Sequence, residues 1–151
     1  MTREELKASL SAHLPTAVFD ETGEFLNMIV TPAELLPLMR TLRSNPDYQF
    51  DYLFCMTAID WKDHFVTVYH LLSKQHRHTL VVKAKITDRN NPQVESVSGI
   101  WRTAEFHERE VYDLFGIKFL NHPDLRRIFL DEDWPGYPLR KDYVDENMIE
   151  L

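Results

Sequence analysis

The chain has 151 residues, of which 44% are hydrophobic and 12% aromatic, enough for one hydrophobic core and too little for two independent ones. Its 17 basic and 24 acidic residues give a formal net charge of −7, which repels phosphate backbones, so we expect no nucleic-acid partner. No stretch approaches the roughly 20 apolar residues of a membrane-spanning helix, so we expect no direct membrane span. The single cysteine, Cys55, cannot form an internal disulfide, and its apolar neighbours predict a buried, inert thiol.

The N-terminal third predicts helix, strand and helix in turn. Residues 2–13 have the spacing of a short amphipathic helix, and residues 24–30 are typical of a strand. A Thr-Pro-Ala-Glu sequence then has the spacing of a capping box, so a second helix is expected over residues 31–44. Pro37 lies past its first turn, where the missing N–H should kink it.

Aromatic and apolar residues dominate positions 48–59, and two β-rich runs follow, residues 65–72 and 79–86. The polar stretch between these runs predicts neighbouring antiparallel strands. Apolar residues alternate along the second run, which is the period of a half-buried strand. Its other face carries Lys83 and Lys85, and we expect this basic face to meet solvent or a partner.

Residues 104–115 show the clearest helical pattern, with Thr103 as the expected N-cap and Gly116 at the C′ position. The sequence after this helix is rich in proline and charge, which predicts an extended arm. We therefore expect a single α+β domain with a mixed or antiparallel sheet, flanking helices and an extended C-terminal arm. The α+β part should span residues 1–120 and the arm residues 121–151 of the same domain.

Several familiar catalytic and metal-binding patterns fail on spacing. His107 and Glu108 begin like the zinc motif H-E-x-x-H, but Val111 occupies the position of the second histidine. Glu108 and Glu110 are two residues apart on a helix, so they point about 200° from each other and cannot flank one bond. The four glycines form no phosphate-binding loop, and one cysteine is too few for an iron–sulfur cluster. We expect no catalytic, cofactor-binding or metal site in this chain.

Histidines leave two alternatives open. His70, His76 and His78 could converge on a metal across a hairpin, but they lack acidic or cysteine partners at ligand spacing, which favours a polar strand edge. His107 or His122 with a carboxylate could serve an independent soluble hydrolase.

Charged residues in the helix are unusually regular. Glu105, Arg109 and Asp113 are spaced i, i+4 and i+8 on one face, which permits a ladder of ion pairs. Exposed pairs of this kind contribute a few tenths of a kcal/mol, so the ladder is either simply structural or partly buried against another chain.

The arm combines bulky apolar residues with arginines, which suit planar pairing at interfaces. Arg126, Arg127 and Arg140 are therefore candidates for docking to a partner, with packing onto the chain's own domain as the alternative.

Three sequence blocks lie in this region: HEREVYDLFGIKF at residues 107–119, HPDLRRI at 122–128 and PLRKDY at 138–143. Together they resemble the signature of the C-subunit family of respiratory NADH:quinone oxidoreductase. The signature and docking residues that the resemblance implies are Glu105, Glu108, Arg109, Glu110, Asp113, His122, Arg126, Arg127, Arg140, Lys141 and Asp142.

The resemblance implies a cofactor-free subunit in the peripheral arm of a proton-pumping NADH:quinone or menaquinone oxidoreductase. The D, B and I subunits would be its partners, and iron–sulfur clusters, FMN and quinone would be held by partner subunits. Its place would be the cytoplasmic side of the cell membrane, or the matrix side in a mitochondrion. The enzyme activity would belong to the complex and not to this chain. An equivalent subunit of an energy-converting membrane hydrogenase, or of a related complex with another electron donor, is the alternative.

Overall fold

The computed structural model describes residues 1–145, and residues 146–151, the end of the expected arm, lie outside the described part. The elements in chain order are α1 (Arg3–His13), β1 (Val18–Asp20), β2 (Asn27–Val30), α2 (Pro32–Ser44), β3 (Tyr52–Asp60), β4 (Phe65–Leu72), β5 (Thr79–Ile86), β6 (Gln93–Glu95), α3 (Ala104–Phe115) and β7 (Lys118–Leu120).

Strands β1 to β5 form a mixed sheet in the order β1-β2-β5-β4-β3. The β2–β5 pair is parallel and the other three pairs are antiparallel. The predicted α+β class with a mixed sheet is thus confirmed, as is the antiparallel pairing of β4 with β5. The predicted strand at 24–30 is shorter than expected, and β1 has no counterpart among the predicted elements. Strands β6 and β7 form a small parallel pair.

The helix ends follow local capping chemistry with one exception. The main-chain N–H of Thr31 donates to Glu34 at 2.9 Å, as the capping box requires, and α2 continues through Pro37 to its end. Gly116 ends α3 with φ at 75°. Thr103 occupies the N-cap position of α3 as expected, but its side chain forms no capping hydrogen bond. Its hydroxyl instead donates to the carbonyl of Leu53 at 3.0 Å and ties α3 to β3.

All three helices pack on one face of the sheet. Leu6 of α1, Leu35 of α2 and Val111 of α3 belong to one core with the predicted inward residues of β5, such as Val82. A separate, smaller apolar cluster lies on the other face, centred on Val81. On the basic face of β5, Val81 is buried, Lys83 is half-buried and Lys85 is exposed, so this face meets solvent only in part.

Residues 121–145 contain no helix or strand and run along α3, with Leu125 packed against the core. We call this segment the arm. Within residues 1–145 no helix is both long and apolar enough to cross a membrane. The expectation for Cys55 is wrong in part, because its side chain is free but half-buried on β3.

Candidate functional site

Asp113 anchors the arm to α3. Its side chain is fully buried, and Oδ2 accepts the main-chain N–H groups of Ile128, Phe129 and Leu130 at 3.2, 2.7 and 3.1 Å. The guanidinium of Arg127 lies 3.5 Å from Oδ1. A carboxylate that accepts several N–H groups beside a cation is a strong, charge-assisted anchor.

Arg109 holds the same stretch of the arm from the other side. Its Nε donates to the carbonyl of Arg126 at 3.1 Å and its Nη2 to that of Arg127 at 3.0 Å. No ion pair joins Glu105, Arg109 and Asp113 within residues 1–145. The expected ladder along α3 is therefore wrong, because the arm's main-chain groups take the place of side-chain partners.

The three arginines considered for docking differ in their surroundings. Arg127 donates to the carbonyl of Gly136 at 2.9 Å, and Arg140 donates to that of Phe115 at 2.6 Å. Both guanidinium groups also lie over the ring of Tyr137, at 4.9 and 5.0 Å. Arg127 and Arg140 thus pack onto their own domain, whereas Arg126 is exposed and pairs with Asp124 at 3.0 Å.

The PLRKDY stretch of the arm is fastened to the end of β3 by Asp60, which sequence reasoning missed. Asp60 pairs with Arg89 at 2.5 Å and accepts the main-chain N–H of Lys141 at 2.9 Å. Burial acts to raise the pKa of Asp60, but Arg89 and the N–H groups of Lys141 and Lys62 outweigh it and lower this pKa to about 2. Asp142 completes the cluster, 3.5 Å from Arg89. The signal available in the sequence was an acidic residue at the end of an apolar run.

Glu108 lies in the core beneath α3 and is fully buried. Ser96 donates to its Oε1 at 2.8 Å, while Oε2 and the Tyr69 hydroxyl find no partner within residues 1–145. Burial raises the pKa of Glu108 to about 8, even though Ser96 and the N–H groups of Val97 and Ser98 act to lower it. The side chain is therefore mostly uncharged at neutral pH, and it does not reach the surface of this domain.

His122 positions the start of the arm. Its Nδ1 accepts the main-chain N–H of Asp124 at 3.0 Å, so Nε2 carries the proton and donates to the carbonyl of Glu105 at 2.9 Å. Both ring nitrogens are thus bound to main-chain groups, which leaves none to pair with a carboxylate. His122 therefore cannot pair with a carboxylate as the hydrolase alternative requires, which leaves His107 as the remaining histidine of that alternative.

His70 on β4 and His76 and His78 in the following connection do not converge. His76 and His78 stack at 5.3 Å and bind the carbonyls of Pro46 and Tyr48, whereas His70 contacts the ring of Phe25. In the part of the chain that the structure describes, no group of three or more His, Cys, Asp or Glu side chains could hold a metal ion.

The anchored arm and α3 leave an apolar groove at the surface. We call it the Phe106 groove; its lining residues are Thr103, Phe106, His107, Glu110, Ile128 and Phe129. Phe106 is 59% exposed and Phe129 66% exposed. Large side chains rarely stay this exposed in a cluster unless a partner covers them.

Comparison with known proteins agrees with this architecture. The model of the family described as "Respiratory-chain NADH dehydrogenase, 30 Kd subunit" matches residues 28–147. The C subunit of the NADH-quinone oxidoreductase of Roseiflexus sp. is 40% identical over 139 residues, covering 88% of this chain and 79% of that protein. The corresponding C subunit of Ralstonia pickettii is 37% identical over 158 residues, covering 97% of this chain and 78% of that protein.

The C/D subunit of the NADH-quinone oxidoreductase of Phocaeicola vulgatus is 47% identical over 124 residues, which are 82% of this chain but 24% of that protein. Among solved structures, a chain of the membrane-bound sulfane sulfur reductase, an archaeal respiratory membrane complex, has a TM-score of 0.76 at 25% identity, with 95% of this chain and 86% of that chain covered. The chain therefore belongs to the family of the respiratory-chain NADH dehydrogenase 30 Kd subunit.

Proposed function

We propose that this chain is a cofactor-free structural subunit in the peripheral arm of an NADH:quinone oxidoreductase, and that the Phe106 groove docks it to a homologue of the D subunit. The B and I subunits of the same complex would be further neighbours, on the cytoplasmic side of the cell membrane or the matrix side in a mitochondrion. The relative from Phocaeicola vulgatus is named as a C/D subunit, which supports a D-subunit homologue as the partner.

The observation that carries this proposal is the exposure of Phe106 and Phe129 on a surface that is otherwise rigidly built. Aromatic side chains bury about 150–250 Å² each when covered, and they are enriched where protein interfaces are tightest. Because main-chain bonds to Asp113 and Arg109 fix the arm, the groove is preorganised, which lowers the entropic cost of binding.

The charged signature residues support a positioning role. Asp113 and Arg109 are occupied by main-chain groups, and Glu108 is sealed in the core. A general acid or base must reach its substrate, and these three side chains are turned toward the protein interior. Turnover would then belong to the assembled complex.

The double substitution Phe106→Ala with Phe129→Ala tests the groove directly. Both side chains are more than half exposed, so we expect the thermal unfolding midpoint of the isolated chain to stay nearly unchanged. Loss of two aromatic contacts at an interface typically costs more than about 2 kcal/mol, so co-purification with the D-subunit homologue should fall at least about tenfold.

Val18→Ala is the control, because Val18 is 60% exposed and lies on β1, away from the groove. The groove proposal fails if the double variant retains the D-subunit homologue as well as the Val18 variant does.

The structural likeness to the sulfane sulfur reductase chain favours a second candidate, the equivalent subunit of a related complex with another electron donor. The fold and the groove would serve both assemblies equally. Identification of the subunits that co-purify from native membranes distinguishes them. A flavin subunit that oxidises NADH supports the first candidate, and a subunit for a different electron donor, such as the nickel-site large subunit of a hydrogenase, supports the second.

A further inference from the structure

The face of the five-stranded sheet opposite the helices is a second unpartnered surface. Its centre is the small cluster of Val66, Val68 and Val81, which are only 6%, 4% and 2% exposed and have Phe25 and Ile59 packed against them. The exposed apolar area of this face therefore lies toward its edge. No helix residue belongs to this cluster. We call this surface the open sheet face.

A row of rings crosses the open sheet face toward its edge strand. Phe25 contacts His70 edge-on at 5.4 Å, His70 contacts Phe54 at 5.6 Å, and Phe54 stacks on Tyr52 at 6.1 Å. Tyr52 and Phe54 are each 39% exposed. Rigid aromatic side chains that already contact one another lose little conformational entropy when a partner covers them.

Lysines surround this aromatic row. Lys74 lies 5.2 Å from the centre of the Tyr52 ring, and Lys83 and Lys85 project from β5 without a salt bridge in the described part of the chain. Asp20 interacts electrostatically with Lys83, and Asp63 with Lys85, but neither acid forms an ion pair with its lysine. The three lysines thus outnumber the two nearby carboxylates, so the open sheet face carries a small excess of positive charge in a chain whose net charge is −7.

The arm carries negative charge, in contrast to the lysines of the open sheet face. It exposes Asp131, Glu132 and Asp133 in succession, and it lies over α3, on the helical side of the sheet. The Phe106 groove and the open sheet face therefore point in opposite directions and differ in charge, so they suit two different partners.

We propose that the open sheet face binds a second subunit of the same assembly, through a surface of that subunit that presents carboxylates around apolar side chains. This inference rests on the proposed function, since it assumes an assembly in which the Phe106 groove is occupied by another subunit. The chain would then bridge two subunits that lie on opposite sides of its sheet.

A photo-crosslinker placed on the open sheet face identifies its occupant in the intact complex. Thr57 is exposed and pairs with Val68 of the central cluster, so Thr57→Cys in a Cys55→Ser background carries a maleimide benzophenone to this face. Lys118→Cys in the same background is the control, because Lys118 is exposed on β7.

We expect irradiation of the complex purified from native membranes to join Thr57→Cys to a subunit other than the D-subunit homologue, within a segment that contains Asp or Glu. Adding Lys83→Glu and Lys85→Glu should lower the yield of this adduct at least about tenfold, because like charges then face each other at the interface. Arg40→Glu with Lys118→Glu makes the same change in charge elsewhere and should leave the yield unchanged.

An adduct with a second copy of this chain, with lipid or with the D-subunit homologue overturns the proposal. So does an equal yield from the Lys118→Cys control, or a yield that is insensitive to the charge reversal. When the adduct is with lipid or with a second copy of this chain, loss of the D-subunit homologue from the Phe106→Ala, Phe129→Ala variant but not from the parent still supports the Phe106 groove, so the two proposals fail separately. An adduct with the D-subunit homologue itself would count against both.

Discussion

A single carboxyl in the core sets part of the pH dependence of this fold. Glu108 has a pKa of about 8 in the folded chain against an ordinary value of 4.5. As the pH rises from 4.5 to 8, the unfolded chain ionises Glu108 while the folded chain holds it protonated. The free energy of unfolding should therefore fall through this window, by at most about 1.4 kcal/mol per pH unit.

Glu108→Gln removes this titration and keeps the shape of the protonated acid. We expect the variant to match the parent within about 1 kcal/mol at pH 5. At pH 8 the variant should be more stable than the parent by on the order of 2–4 kcal/mol. At that pH ionisation of Glu108 stabilises the unfolded parent more than the folded parent, and the variant has no such group. Denaturant unfolding at both pH values measures the difference.

Glu110→Gln is the matched control for this experiment, since Glu110 lies on the same helix and lines the Phe106 groove at the surface. Because this variant retains Glu108, its free energy of unfolding should still fall between pH 5 and pH 8 as that of the parent does. If the Glu108 variant shows the same slope as the parent between pH 5 and 8, Glu108 is charged in the folded chain and the interpretation is wrong.

At the scale of elements, the attachment of the arm to α3 depends on charge rather than on secondary structure. Asp113→Asn keeps one oxygen acceptor but removes the negative charge that faces Arg127 and the N–H groups of Ile128 to Leu130. Breaking such a buried, charge-assisted cluster costs about 3 kcal/mol. We expect faster hydrogen exchange at residues 128–130 and faster proteolysis within the arm, while β4 and β5 stay protected.

Asp124→Asn is the comparison for this change, because Asp124 is exposed and pairs with the equally exposed Arg126. Exposed pairs contribute about 0–1 kcal/mol, so this variant should exchange and digest like the parent. Equal protection of the arm in both variants would mean that Asp113 does not hold it.

Helices and strands that show a regular local residue pattern can be predicted from the sequence. The helix at 104–115 and the strand at 79–86 follow from spacing, and the strand at 65–72 follows from its β-rich composition; the structure confirms all three. Strand β1, with three residues, is too short to show a period.

Contacts between residues that are far apart in the sequence cannot be predicted from such local patterns. The spacing predicts that Arg109 pairs along its own helix, but it binds carbonyls 17 and 18 residues away. Such main-chain acceptors carry no side-chain signature. The sequence therefore singles out charged residues of α3 and the arm as candidates, but it does not predict the contacts between them, and it misses Asp60.

At the scale of the whole molecule, Asp60 joins parts of the chain that are far apart in sequence. Its carboxylate, at the end of β3, binds Arg89 and the main-chain N–H of Lys141, which lies 81 positions away. Its pKa of about 2 lies below the ordinary 3.8, so its contribution to stability is complete above pH 4 and is lost as the pH falls toward 2. Asp60→Asn should lower the free energy of unfolding at pH 7 by about 2 kcal/mol. Because the parent loses this contribution in acid, the difference between the two should shrink at pH 3.

Denaturant unfolding of both proteins at pH 7 and pH 3 measures this difference, and Asp133→Asn, at an exposed position of the arm, controls for the loss of one charge. Since Lys141 belongs to the arm, the Asp60 variant should also release the PLRKDY stretch to protease at pH 7. A variant that unfolds like the parent at pH 7, with that stretch still protected, would show that the arm's fastening to β3 does not depend on the Asp60 carboxylate.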